Sequence, residues 1–377
     1  MTLGAPIAEN AYPAPKTEFF DPEHVERPIP ALPWRVVTLC VVAASLLLTI
    51  GWEFYWRGRD YVAGDFKNTP GLWLQERRKA KADATVLIGS SRIFFDANLD
   101  VWEETAGVRP IQLALEGTSP EAFLADLADD EDFNGTVIVG VTSGLMFSGF
   151  MYRKEVLDYA RKESLSQRAD HLLSLQLEKI FAFIDEQTRP KTIIRYAVFP
   201  LREGMPQRYD VPKLDNLAID RNAHVWPYVA EHPEYAENHK NSWRDEMRFL
   251  SSPGPDGSVP GVIPDEKVSE IIGNVKANID KIRARGGDVA FVRFPYEGDY
   301  RPFEDEFFPR ERFWDRLVAE TDSAGVFWLD HPELQGYFLP EWSHIEAEDA
   351  KRFTRNLTPI LYAKMEKKKA ERAARKS

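Results

Sequence analysis

The stretch Leu339–Phe353, "LPEWSHIEAEDAKRF", holds His344, one of seven histidines in the chain. A carboxylate, Glu341, stands three residues before it, and a helical pattern starts directly after it. An imidazole held at one ring nitrogen by a carboxylate can take a proton from a hydroxyl with the other. Candidate hydroxyls lie far upstream in Gly89-Ser90-Ser91-Arg92, directly after the apolar run "ATVLI". Gly117 in "LALEGTSP" and Thr142-Ser143 in "GVTSGLMF" follow two further apolar runs. Singly, a Gly-Ser-Ser turn or a His ahead of a helix is an ordinary structural feature. Together they supply a hydroxyl nucleophile, backbone N–H donors at a glycine, a base and an orienting acid, the parts needed for acyl transfer.

These residues need a scaffold that gathers them. "ATVLIGSS", "PIQLALEG", "GTVIVGVT", "DVAFVRFP" and "GVFWLDHPE" read as buried strands. Helical patterns alternate with them: "SPEAFLADLADD" with Ser119 as its cap, a run through Val268, Ile271, Ile272, Val275, Ile279 and Ile282, "ERFWDRLVAETD", and the segment after His344. Apolar strands alternating with helices predict an α/β fold with a parallel sheet covered on both faces. In such sheets ligands bind beyond the carboxyl ends of the strands, where Ser90, Ser91, Gly117, Thr142 and Ser143 would all fall. The stretch from about Ser143 to Pro264 breaks the rhythm and reads as a helical and loop-rich insertion.

The blocks, in this order, resemble those of the SGNH, or GDSL-like, hydrolase superfamily, over the alternating parts of residues 80–362. "GSSR" is similar to the first block, with Ser91 as the nucleophile and Ser90 where the family has Asp. Gly117 matches the second-block glycine. Glu341-x-x-His344 matches the last block, with Glu in place of Asp, and Thr142 or Ser143 stands where the third block carries an oxyanion-binding Asn. The resemblance implies a flavodoxin-like three-layer sandwich and roles for Ser91 as nucleophile, His344 as acid/base and Glu341 as orienter. It implies oxyanion donors at Gly117, Thr142 and Ser143, and no cofactor. Arg92 and Arg293, at strand ends, are candidate contacts to a sugar or acyl donor, against surface or structural pairing as the default reading.

A second signal lies near the start. "WRVVTLCVVAASLLLTIGWEFYW", residues 34–56, is uncharged from Val36 to Gly51 and flanked by tryptophans. A helix from Trp34 to Trp52 would span roughly 28 Å, close to the thickness of the hydrocarbon core, with aromatics at its ends as at an interface. It reads as an uncleaved single-span anchor, preceded by a Pro- and Ala-rich arm over residues 1–33 that reads as disordered. Flanking charge barely orients it, with Lys16, Arg27 and Arg35 on one side and Arg57, Arg59 and Lys67 on the other. A span followed by a domain of this kind is similar to envelope O-acyltransferases, including alginate-acetylating proteins. That resemblance implies a bacterial inner-membrane location, a periplasmic domain, an envelope polysaccharide as substrate and a membrane acyl-donor protein as partner. A plain esterase and a catalytically inactive polysaccharide-binding scaffold are the alternatives.

The remaining composition narrows the field. A net charge of −12 argues against a nucleic-acid partner. The basic residues 363–377 read as a solvated helix end, with contact to anionic lipid headgroups as the lesser alternative. The single cysteine, Cys40, excludes an internal disulfide or a Cys-based zinc site, and no metal is implied. His224, His232 and His239 match no common metal spacing. They lie in a loop-like region with Trp226, Tyr228, Tyr235 and Trp243, aromatics that pack the insertion or form a platform for sugar rings.

Overall fold

The computed structural model describes residues 33–185, 188–189 and 213–375. The expected arm at residues 1–32 and part of the expected insertion lie outside the described residues. Two compact units are present, one ending at Trp52 and one beginning at Glu53. The first contains most of the helix Trp34–Arg57, none of whose 24 residues is buried. This helix is long and apolar enough to cross a membrane.

Among the described residues, the second unit is built on five parallel strands. They are β1 (Thr85–Gly89), β2 (Ile111–Gln112), β3 (Thr136–Gly140), β6 (Asp288–Arg293) and β7 (Ala324–Phe327), while β4 (Asp215–Leu217) and β5 (Ala223–Val225) form a separate antiparallel pair. The sheet order is β2-β1-β3-β6-β7. All five residues of β1 are buried, as are the last five of β6, so both faces of the sheet centre are covered. Val268, Ile271, Ile272, Val275, Ile279 and Ile282 form the buried stripe of the helix Asp265–Ala284.

β2 is shorter than its apolar run because of what borders it. Leu113 and Leu115 still donate to Leu87 and Gly89 of β1. On the other side, the guanidinium of the fully buried Arg221 takes the carbonyls of Gln112 and Ala114 at 2.9 and 2.6 Å. The "ERFWDRLVAETD" pattern splits into a π-helical stretch, Glu311–Asp315, and a short α-helix, Arg316–Glu320. Ser119 accepts from the Glu121 N–H at 3.4 Å, just ahead of the helix Glu121–Asp129. The helix after His344 runs unbroken from Ala347 to Ala374, so most of the basic stretch read as a helix end forms its last turns. There Lys364 donates to the Gly325 carbonyl and Arg372 to the Asp288 carboxylate.

The loop-like reading of residues 224–243 is corrected. His224 lies in β5, and His239 and Trp243 lie on a 19-residue helix, Pro233–Ser251.

Candidate active site

The strand order reverses around β1, which lies between β2 and β3, and that is where an open parallel sheet forms its ligand crevice. The last residues of β1 and β3, Gly89 and Gly140, are cross-strand partners. Neither position has room for a side chain. A Cβ on Gly89 would lie 2.6 Å from Ile93 Cγ2, and one on Gly140 2.5 Å from Ile93 Cβ. With both glycines, Ile93 seats against the strand ends, and the helix Ser91–Asp96 starts one residue after β1. Ser91 is the first residue of that helix and is partly exposed, whereas Ser90 beside it is 2% exposed.

The Ser91 Oγ is 2.8 Å from the Nε2 of His344. His344 Nδ1 is 3.0 Å from Glu341 Oε1. Those partners assign the tautomer, with Nδ1–H donating to the carboxylate and Nε2 accepting from the hydroxyl. The same Oε1 also accepts the backbone N–H groups of His344 and Ser343, at 2.7 and 3.3 Å. This compact turn depends on Trp342, which lies in the left-handed region at φ 77°. That conformation is costly for a bulky residue. Its side chain is held by neighbours. The ring packs so closely on Gly298 that a Cβ there would be 2.4 Å from Cδ2, and the Arg244 guanidinium lies 4.6 Å above it.

Glu341 is fully buried and its other oxygen is also satisfied. Trp243 Nε1 donates to Oε2 at 2.6 Å. Burial acts to raise the Glu341 carboxyl, but the His344 imidazole and the hydrogen bonds outweigh it and hold the group below the usual carboxylate value. Trp243 belongs to a stripe of the helix Pro233–Ser251 with Tyr235 and His239. Burial drives the His239 imidazole down to about 4. Tyr235 and His239 pack edge to face at 5.3 Å, and Trp243 packs against His344 at 6.3 Å. Phe95 meets His344 on its own side at 5.0 Å.

A further buried acid ties the two halves of the site. Asp96, at the end of the Ser91 helix, accepts the N–H of Ile345 at 2.9 Å through Oδ1. Ile345 directly follows His344. Burial pushes the Asp96 carboxyl well above its usual value, against the lowering effect of the Ile345 N–H.

The structure thus brings together Ser91, His344 and Glu341, 253 residues apart in the case of the serine and the histidine. The other candidates are placed differently. The Thr142 hydroxyl bonds to Ser90 Oγ at 2.7 Å, and Ser143 is buried as the first residue of the helix Ser143–Ser148. Gly117 adopts a left-handed φ of 56°, and its carbonyl accepts the Tyr152 N–H at 3.4 Å. Of the two readings of Arg92 and Arg293, the structure has structural pairing rather than ligand contact. They are 3% and 2% exposed, and both guanidinium groups clamp the buried carboxylate of Glu304. Arg92 also donates to Ser343 Oγ at 3.3 Å, and Arg293 to the Val141 carbonyl at 2.6 Å. The aromatic cluster is internal packing rather than a platform. Trp226 is 4% exposed and stacks on Tyr228 at 4.7 Å.

Three contributors were not read from the sequence: Trp243, Asp96 and the left-handed Trp342. A signal existed for the first, since Tyr235, His239, Trp243 and Met247 recur every four residues, the spacing of one helix face. Asp96 and Trp342 had no local signal.

The class that fold and site define is an α/β parallel-sheet domain bearing a buried carboxylate–imidazole pair against a partly exposed serine. No known protein family matches the chain, and no curated protein matches it. Among solved structures, the crystal structure of TesA is similar over 74% of this chain and 99% of its own length, at 12% identity and a TM-score of 0.33.

Proposed function

We propose that the chain is a membrane-anchored serine acyltransferase or esterase of SGNH type that acts on ester-linked acyl groups. The observation carrying the proposal is the hydrogen-bonded line from Ser91 Oγ through the His344 ring to Glu341, at 2.8 and 3.0 Å. In the proposed reaction, Ser91 Oγ attacks the ester carbonyl carbon as its proton passes to His344 Nε2. Glu341 Oε1, already accepting Nδ1–H, stabilises the imidazolium that forms. The oxyanion is assigned to the backbone N–H groups of Ser91 and Gly117. Collapse breaks the ester C–O bond, and the departing alkoxide takes the proton from Nε2. The acyl group, now on Ser91, is then attacked by water or by a sugar hydroxyl, deprotonated by the same nitrogen.

The substrate part of the proposal follows from the resemblance of a membrane span followed by such a domain to envelope O-acyltransferases. It names an acetyl ester of an envelope polysaccharide, a periplasmic domain on the inner membrane and a membrane acyl-donor protein as partner. The apolar helix Trp34–Arg57 supports the anchor. The packed aromatic cluster gives the polysaccharide no support.

The test is labelling of the full chain with a fluorophosphonate, followed by peptide mapping. An adduct on Ser91, lost in His344→Ala, is the expected result. No adduct sinks the proposal and leaves the inactive scaffold, and an adduct elsewhere removes Ser91 as the nucleophile. Release of acylated sugar rather than free acid from a small acyl ester, on addition of oligosaccharide, distinguishes transfer from hydrolysis.

A further inference from the structure

The helix Leu165–Glu178 carries its apolar side outward. Leu165, Leu172, Leu173 and Leu177 are 88%, 51%, 67% and 48% exposed, and Ile180 just beyond is 58% exposed. At 3.6 residues per turn these five share one side. Leu175 and Glu178, on the other side, are buried. A surface helix of a water-soluble domain normally has the reverse arrangement. A contiguous patch of large aliphatics is a binding surface that needs an occupant.

The occupant is indicated by what the end of this helix touches. The Glu53 carboxylate accepts the N–H groups of Ala182 and Phe183 at 3.0 and 3.2 Å, and Arg57 donates to the Ile180 carbonyl at 3.1 Å. Glu53 and Arg57 belong to the last turns of the apolar helix Trp34–Arg57, where Phe54 and Tyr55 are also exposed. The leucine stripe therefore ends where a chain leaving a bilayer would emerge. Arg57, Arg59 and Lys179 are exposed at the same end, cations beside an apolar face as in helices that lie in a lipid interface.

We propose that Leu165–Ile180 is a second membrane contact, lying along an anionic lipid surface with its leucines at the headgroup–acyl boundary. The inference rests on the reading of Trp34–Arg57 as a membrane span. It is independent of the chemistry at Ser91. A single span leaves a domain free to swivel, whereas a second, lateral contact fixes which side faces the lipid. A second copy of the chain and a separate protein are the competing occupants.

The test uses the full chain carrying Cys40→Ser, so that an introduced thiol is the sole one. Leu173→Cys, Leu177→Cys and, as a distant exposed reference, Glu366→Cys are each labelled with an environment-sensitive fluorophore. The proteins are reconstituted into phosphatidylcholine–phosphatidylglycerol vesicles, with or without brominated acyl chains. The expected result is a blue shift and bromine quenching at positions 173 and 177 and neither at 366. Unquenched labels at 173 and 177 in protein that floats with the vesicles overturn the inference and leave the span intact. Protein that fails to float overturns both. Disulfide cross-linking of Leu173→Cys between copies overturns it in favour of a self-interface. The combined Leu172→Gln, Leu173→Gln and Leu177→Gln variant should melt like the parent, because these side chains are exposed. A marked fall in its melting temperature would show that the leucines pack on protein, and the inference would be wrong.

Discussion

The indole Nε1 of Trp243 donates to Oε2 of Glu341 at 2.6 Å, from a helix that belongs to none of the strand–helix units of the sheet. Glu341 Oε1 receives three donors from its own turn. The indole satisfies the other oxygen, so the carboxylate is held from both ends in a fully buried site.

Trp243→Phe keeps the ring packing and removes that donor. A hydrogen bond to a charged buried group is worth about 1.5–3 kcal/mol, and urea unfolding should show a loss in that range. With Oε2 unpaired, the Glu341 carboxyl should lose part of its downward shift. On the proposed mechanism, the acid limb of the acylation pH profile then moves upward while KM changes little. A profile that does not move, with the same stability loss, would reduce Trp243 to packing.

The neighbouring serines should separate cleanly. Ser91→Ala should abolish acylation. Ser90→Ala removes only the hydroxyl bonded to Thr142, worth about 0.5–1.5 kcal/mol of stability, and should retain measurable turnover. Glu341→Gln should be slower than the parent but faster than His344→Ala. In a serine-protease triad, loss of the carboxylate charge costs about 10⁴ in turnover. Stopped-flow acylation with an activated ester measures all four, and an inactive Ser90→Ala with an active Ser91→Ala would move the nucleophile by one residue.

Glu304→Gln addresses the two buried arginines. It leaves Arg92 and Arg293 without their shared countercharge, and breaking a buried pair in this way costs roughly 3–5 kcal/mol. The urea midpoint should fall strongly. A variant of parental stability with a raised KM would return the arginines to a substrate role.

Asp96 gives a pH signature of definite sign. Its folded-state carboxyl lies above the ordinary value of about 4. From that pH up to its raised folded value, the folded protein holds a proton that the unfolded chain has lost. Its contribution is therefore fully present below about pH 4 and is lost as pH rises through that window. Asp96→Asn does not titrate. Relative to the parent, it should gain stability as pH rises above about 4, as read from paired urea melts. A constant difference would mean that Asp96 titrates in the folded protein as it does in the unfolded chain.

The strands were legible because a parallel sheet buried on both faces writes uninterrupted apolar runs, as in "TVLIG" and "DVAFVR". The extent of β2 was not, since Arg221, far away in sequence, borders it. Ser91 was singled out because it directly follows an apolar strand run, and Glu341 and His344 because they stand three residues apart just ahead of a helical pattern. The aromatics of residues 226–243 were seen, but their polar surroundings masked the four-residue period, so the donor to Glu341 was missed. Ligand contact and structural pairing both stayed open for Arg92 and Arg293 for a physical reason: a buried arginine and an exposed one look alike until the partner, Glu304, is brought in by the fold.

The 253-residue gap between Ser91 and His344 also sets an order of events during synthesis. The serine leaves the ribosome long before its base. At about 5–20 residues per second, the delay is roughly ten to fifty seconds. Throughout that interval the nascent chain carries an alcohol with no proton acceptor beside it. On the proposed mechanism, a chain cut short anywhere between the two residues is chemically silent, and acyl chemistry begins only once the segment bearing His344 has been made and has closed onto the sheet.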